Sequence, residues 1–159
     1  MRLLWRCEDW SHFLESDCRK GIRLRFDNGV DPEVVRACKE FVQWLRSQYE
    51  FPMRVPIYFK NREYLIACSG EKCSATFFGP YDKRIEPYIR ISVGDYKSMM
   101  ESWGKSNALG AIIHSIAHEL SHYFQWLKDI DFCDPKGERQ ARYYANAIID
   151  DYKLVKEAP

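Results

Sequence analysis

The segment His118-Glu119-Leu120-Ser121-His122 holds the residue types and spacing in this chain that could do chemistry. On a helix, side chains four residues apart lie on one face, one turn from each other. His118 and His122 can then offer ring nitrogens to a single ion. Imidazole suits zinc, which takes nitrogen ligands at about 2.0–2.1 Å. Glu119 is rotated by about 100° from His118, which sets it beside such an ion rather than on it. A carboxylate in that place can take a proton from a water that the ion has acidified. The plainer reading of the same residues is a polar stripe on a surface helix.

A catalytic zinc needs a third protein ligand and one open position. In the extended HExxHxxGxxH pattern residues 125 and 128 would be Gly and His; here they are Gln125 and Lys128, and no histidine follows His122. The remaining candidates are Asp129, Asp131, Cys133, Asp134 and Glu138. The first four lie close behind the helix end, where reaching back over more than a turn is awkward. Glu138 can open a second helix that folds back along the first. It is in phase with Ala141, Ala145, Ile148 and Tyr152, so it points inward, and the two alanines let the helix backbones approach. Its competing reading is a first-turn acid favoured by the helix dipole.

The active segment needs a long helix, and the pattern supplies one. From Asn107, Ile113, Ala117, Leu120, Phe124 and Leu127 recur at helical spacing until Asp134-Pro135-Lys136-Gly137 breaks the run. A last helix begins near Glu138. Upstream, Ile22, Leu24 and Phe26 alternate as a strand, and Asp27-Asn28-Gly29 reads as a turn. Asp31-Pro32-Glu33 is a helix start, an N-cap acid followed by proline at the first helical position. Val55, Ile57 and Phe59 alternate, Tyr64–Ala67 and Ala75–Phe78 look like strands around Ser69-Gly70, and Tyr88–Val93 like another. Residues 8–19 suggest a short helix. The expected architecture is α+β, with the helices gathered on one face of a small mixed sheet.

The 159 residues fit one domain spanning 1–159, with 46% apolar and 15% aromatic residues to fill a core. A formal charge of +1 argues against a general nucleic-acid or membrane-surface role. The N-terminus has too short an apolar run for a signal peptide, and no stretch is long enough to span a bilayer. The six cysteines are therefore expected to be mostly reduced, in a cytoplasmic protein.

HELSHYFQW, a short break and ERQARYYANAII together resemble the small gluzincins, the minigluzincin-like HExxH zinc metallopeptidases. In that family the third ligand is a Glu in an ExxA-type helix. The repressor-cleaving and mobile-element-linked members have a similar HELxH…ExxAxxxA layout. The motifs cover residues 107–152, and the upstream β-rich stretch is similar in order. The resemblance implies a zincin-like fold, zinc ligands His118, His122 and Glu138, and Glu119 as base. It also implies that the last strand before the active helix, Tyr88–Val93, lines the cleft; an extended peptide could then add to that strand through main-chain bonds. Larger gluzincins stabilise the oxyanion with a Tyr or His. That position does not map here, and His114, Tyr143, Tyr144 and Tyr152 are the residues to examine. The implied activity is hydrolysis of a peptide or protein substrate. The alternatives are a zinc-binding regulatory or interaction module with little turnover, and a latent enzyme. Latency would place the aromatic N-terminus (Trp5, Trp10, Phe13) or the tail after Tyr152 in the cleft.

Overall fold

The computed structural model describes residues 3–14 and 17–159. It is a mixed α+β fold in which a long central helix packs between a sheet and a following helix. Strand β1 (Ile22–Phe26) leads into helix α1 (Pro32–Gln48) and strand β2 (Val55–Lys60). The α1 start is the one the sequence signalled: the Asp31 carboxylate accepts from the Glu33 N–H at 2.8 Å, with Pro32 at the first turn. A two-stranded hairpin follows, β3 (Leu65–Ile66) with β4 (Lys72–Cys73). Then come β5 (Ala75–Phe78) and β6 (Tyr88–Ser92).

The main sheet has the order β1-β2-β6-β5. The first three strands are parallel and β5 runs antiparallel to β6. Register places Leu24, Ile57, Ile89 and Phe77 in one row across the four strands. With the period of two, that row faces the core and its neighbours face away. Strand β6, expected to line the cleft, is paired on both sides by β2 and β5 and has no edge to offer. The edge strand is β5. Ala75–Phe78 was expected as a strand over these same residues, but its antiparallel pairing with β6 was not.

Three helices complete the chain: α2 (Tyr96–Trp103), α3 (Lys105–Leu127) and α4 (Pro135–Lys153). Helix α2 was not expected. It buries Tyr96 and only partly buries Met99 and Met100, so its periodicity is faint. Gly104, with a left-handed φ of 85°, separates α2 from α3. Every residue of α3 from Glu119 to Leu127 is buried. Its C-terminal half is therefore a central helix rather than an amphipathic surface helix.

Helix α1 and the sheet contact α3 on other sides, and α4 returns along it. Ala141 and Ala145 are fully buried at that crossing, as their size predicted. The N-terminal residues form two 3₁₀ turns, Leu3–Trp5 and Trp10–Phe13, where a helix over 8–19 was expected; residues 15 and 16 lie outside the described residues. Trp5 is fully buried against Tyr49 and Phe124, and its indole N–H donates to Ser121 Oγ at 3.0 Å. These aromatics build the core instead of lying in a cleft.

Candidate metal centre

Helix α3 brings His118 and His122 onto one face, with ring centroids 4.9 Å apart. Helix α4 delivers Glu138 to the same place. Asp134 caps α4, its carboxylate accepting from the Gly137 N–H at 2.6 Å, and Pro135 occupies the first helical position. The helix therefore starts three residues earlier than expected and holds Glu138 one turn in. Gly137 is needed at this elbow: a Cβ there would come within 2.6 Å of Phe132 Cα and 2.7 Å of the Asp131 carbonyl.

The Glu138 carboxylate spans both imidazoles. One oxygen lies 3.2 Å from His118 Nε2 and the other 3.0 Å from His122 Nε2. The three donor groups lie within 4.8 Å of one another and can hold a metal ion. A tetrahedral zinc with ligands at about 2.0–2.1 Å keeps them about 3.3 Å apart, close to the two Glu138–imidazole distances. His122 is buried while the Glu138 side chain is 51% exposed, so the cluster has a dry side and an open side. A catalytic zinc requires such an open position. The other third-ligand candidates are held elsewhere. Asp129 pairs with Lys83, Asp131 accepts from the Cys133 N–H, Asp134 caps α4, and Cys133 is exposed.

A residue that the sequence did not single out completes the geometry. Gln125, fully buried, places its amide oxygen 2.8 Å from His122 Nδ1. Its amide nitrogen donates to the Gly137 carbonyl at 2.9 Å and to Gln140 Oε1 at 2.8 Å. These partners decide the amide's orientation, because a backbone carbonyl can only accept. Gln125 Oε1 must then accept from His122 Nδ1–H, which leaves Nε2 with its lone pair toward Glu138. Two lone pairs at 3.0 Å repel unless a proton or a cation lies between them. The donor set and its orientation thus fit a cation. Gln125 also ties the α3 histidine to the first turn of α4. The signal in the sequence was its spacing, three residues after His122 on an otherwise apolar stretch.

Glu119 is nearly buried, and burial first, then the Glu138 charge, pushes its carboxyl up to about 8. The His118 imidazole is held below its ordinary value by burial and by neighbouring His122, against the pull of Glu138. The Cys73 thiol of β4 is raised first by burial and then by the charge of Glu119. Phe132 packs on His122 at 5.7 Å and on Phe77 of β5 at 5.6 Å, closing the other side with apolar rings.

None of the oxyanion candidates hydrogen-bonds to the cluster among the described residues, although the His114 ring lies 6.3 Å from that of His118. His114 Nε2 lies 2.9 Å from Asn146 Oδ1, committed to α4. Tyr152 is buried against Phe41 and Trp44, and Tyr143 and Tyr144 pack on each other. No protein-family profile, curated protein or solved structure matches the chain. The site and the helices around it carry the assignment by themselves: His118-Glu119-x-x-His122 with Glu138 beside it matches an HExxH zincin-like active site.

Proposed function

We propose that the chain is a single-domain zinc metallopeptidase of residues 1–159. In this reading His118, His122 and Glu138 hold the metal and Glu119 is the general base. The observation that carries it is the Glu138 carboxylate set against both Nε2 atoms, with the buried Glu119 carboxyl alongside. When bound, zinc supplies Lewis acidity, which acidifies a water and polarises a scissile carbonyl. Glu119 takes a proton onto its carboxylate and returns it to the leaving amine. Its buried setting strengthens its hold on that proton, and a dication beside it would pull the other way. Gln125 keeps the His122 ring in the tautomer that presents Nε2.

The substrate in this reading is a peptide or protein strand laid along β5. The Ser92 N–H donates to the Ser74 carbonyl at 2.8 Å. Alternation along the antiparallel ladder then turns the main-chain groups of Ala75 and Phe77 away from β6, toward the open edge. An extended peptide can pair with them by strand addition. Nothing in this scheme requires a membrane, and no helix among the described residues is long and apolar enough to cross one.

Comparing peptide turnover by the zinc-loaded protein and its Glu119→Gln variant, with metal content measured in both, tests the reading. Turnover should vanish in the variant while zinc stays bound. Equal rates in the two proteins would remove Glu119 from the mechanism. The second reading, a zinc-binding module with little turnover, is favoured by the commitment of His114 to Asn146 and of Tyr152 to the core. Zinc at one per chain with no cleavage of any peptide in a diverse library would select it.

A further inference from the structure

The sheet has a second face, away from the helices, whose make-up differs from the rest of the molecule. Parallel strands are ordinarily covered on both faces. Here β1, β2 and β6 are parallel, yet the residues alternating away from the core include exposed Arg23, Arg25, Tyr58 and Phe78. Register puts Arg25, Tyr58 and Arg90 in one row and Arg23, Tyr88 and Phe78 in the next. The three aromatic rings run across β2, β6 and β5: Tyr58 to Tyr88 at 6.1 Å, and Tyr88 to Phe78 at 5.1 Å. Tyr58 is 38% exposed and Phe78 45%, so ring surface is offered to solvent.

The charge on this face has one sign. The four strands of the main sheet contain three arginines and one lysine and no Asp or Glu. Lys60 is paired with Asp27 at the end of its strand, but Arg23 and Arg25 make no ion pair among the described residues. Arg90 stands opposite Tyr58 in the register, one row from Tyr88 and Phe78, with its Nε buried and without a hydrogen-bond partner. A formal charge near zero therefore hides a segregated distribution, with the compensating acids lying mostly in the loops and termini rather than in the strands. The expectation drawn from net charge concerned the whole molecule, and it does not describe this surface.

We propose that this sheet face binds single-stranded nucleic acid. The exposed rings of Tyr58 and Phe78, held on either side of Tyr88 with Tyr58 edge-on to it at 77°, can each take an unpaired base in a stack, whatever its sequence. Arginines on the same face supply phosphate contacts and can stack on bases themselves. A duplex would not fit, since its bases are already stacked and its outer surface is phosphate. The proposal is independent of the metal centre, which lies across the sheet among the helices.

The test is fluorescence anisotropy of the full chain with labelled oligothymidylate and oligouridylate of about 12 nucleotides, at two salt concentrations. Binding that weakens steeply with salt is expected. The double variant Tyr58→Ala/Phe78→Ala should weaken it by about tenfold or more, because each lost stack counts separately. Arg23→Gln/Arg25→Gln should lower affinity and flatten the salt dependence by about one to two in log–log slope. All four positions are exposed, and unchanged circular dichroism and zinc content in the variants separate loss of the face from loss of the fold or the metal. Absence of binding at low salt would overturn the proposal, as would binding unaffected by either double variant. Light scattering showing a dimer that the face variants dissolve would assign the surface to self-association instead. Preferential binding of an acidic peptide over both oligonucleotides would assign it to a protein partner.

Discussion

At the scale of residues, the centre depends on a side chain that does not touch the metal position. His122 presents Nε2 only while Nδ1 keeps its proton, and Gln125 enforces that through the Gly137 carbonyl. Gln125→Leu should therefore weaken zinc binding by about 10- to 100-fold with little change in bulk fold. Chelator competition would measure it, and an unchanged affinity would show that the tautomer is set elsewhere. Glu119 makes a separate, metal-free prediction. Burial first, then the Glu138 charge, pushes its folded carboxyl up to about 8 from its ordinary value of 4.5. Between those values the folded state holds a proton that the unfolded state has lost. Stability present at low pH is thus lost as pH rises, by about 1.4 kcal/mol per pH unit. Glu119→Gln removes this dependence. The stability difference between metal-free variant and wild type should grow in the variant's favour from pH 5 to pH 8. Urea unfolding of both at several pH values checks it, and a flat difference contradicts the buried setting. His118, Glu119 and His122 were legible because helical spacing alone places them. Gln125 was not, because its role depends on a carbonyl twelve residues away that only the folded elbow brings near.

Elements decide whether Glu138 arrives. The α4 start repeats the Asp-Pro signal that correctly placed α1, but Pro135 and Gly137 read in the sequence as a break. They are the first turn of the helix, and Gly137 is there because backbone from Asp131 and Phe132 leaves no room for a Cβ. Gly137→Ala should displace the elbow, cost about 1–3 kcal/mol of stability and weaken zinc binding in the same variant. Thermal unfolding with a parallel metal titration would show both effects, and a variant as stable and as tight as wild type would refute the close approach. The strands were legible from their alternation, yet their order was not. Pairing of β6 with β2 and β5 is a long-range matter, and the edge role of β5 followed only from it. Helix α2 escaped notice for a different reason, since a helix with one buried side chain has little period to read.

At the scale of the whole molecule, the N-terminal aromatics are structural. Trp5 closes the core under α3, touching Tyr49, Phe51 and Phe124. Trp5→Ala should cost about 3–5 kcal/mol and should not raise turnover. Denaturant unfolding and a peptide assay on the same preparation would establish this, whereas a stable and more active variant would revive a latent enzyme. The molecule then has two working sides: a His–His–Glu cluster among the helices and an aromatic, basic sheet face behind it. The first of these is the central claim, and metal stoichiometry with its dependence on Glu138 tests it most directly. Purified protein, dialysed against a mild chelator and analysed by elemental mass spectrometry, should retain one zinc per chain. Glu138→Ala treated identically should retain almost none. Zinc absent from the wild type, or retained equally by Glu138→Ala, would contradict the account.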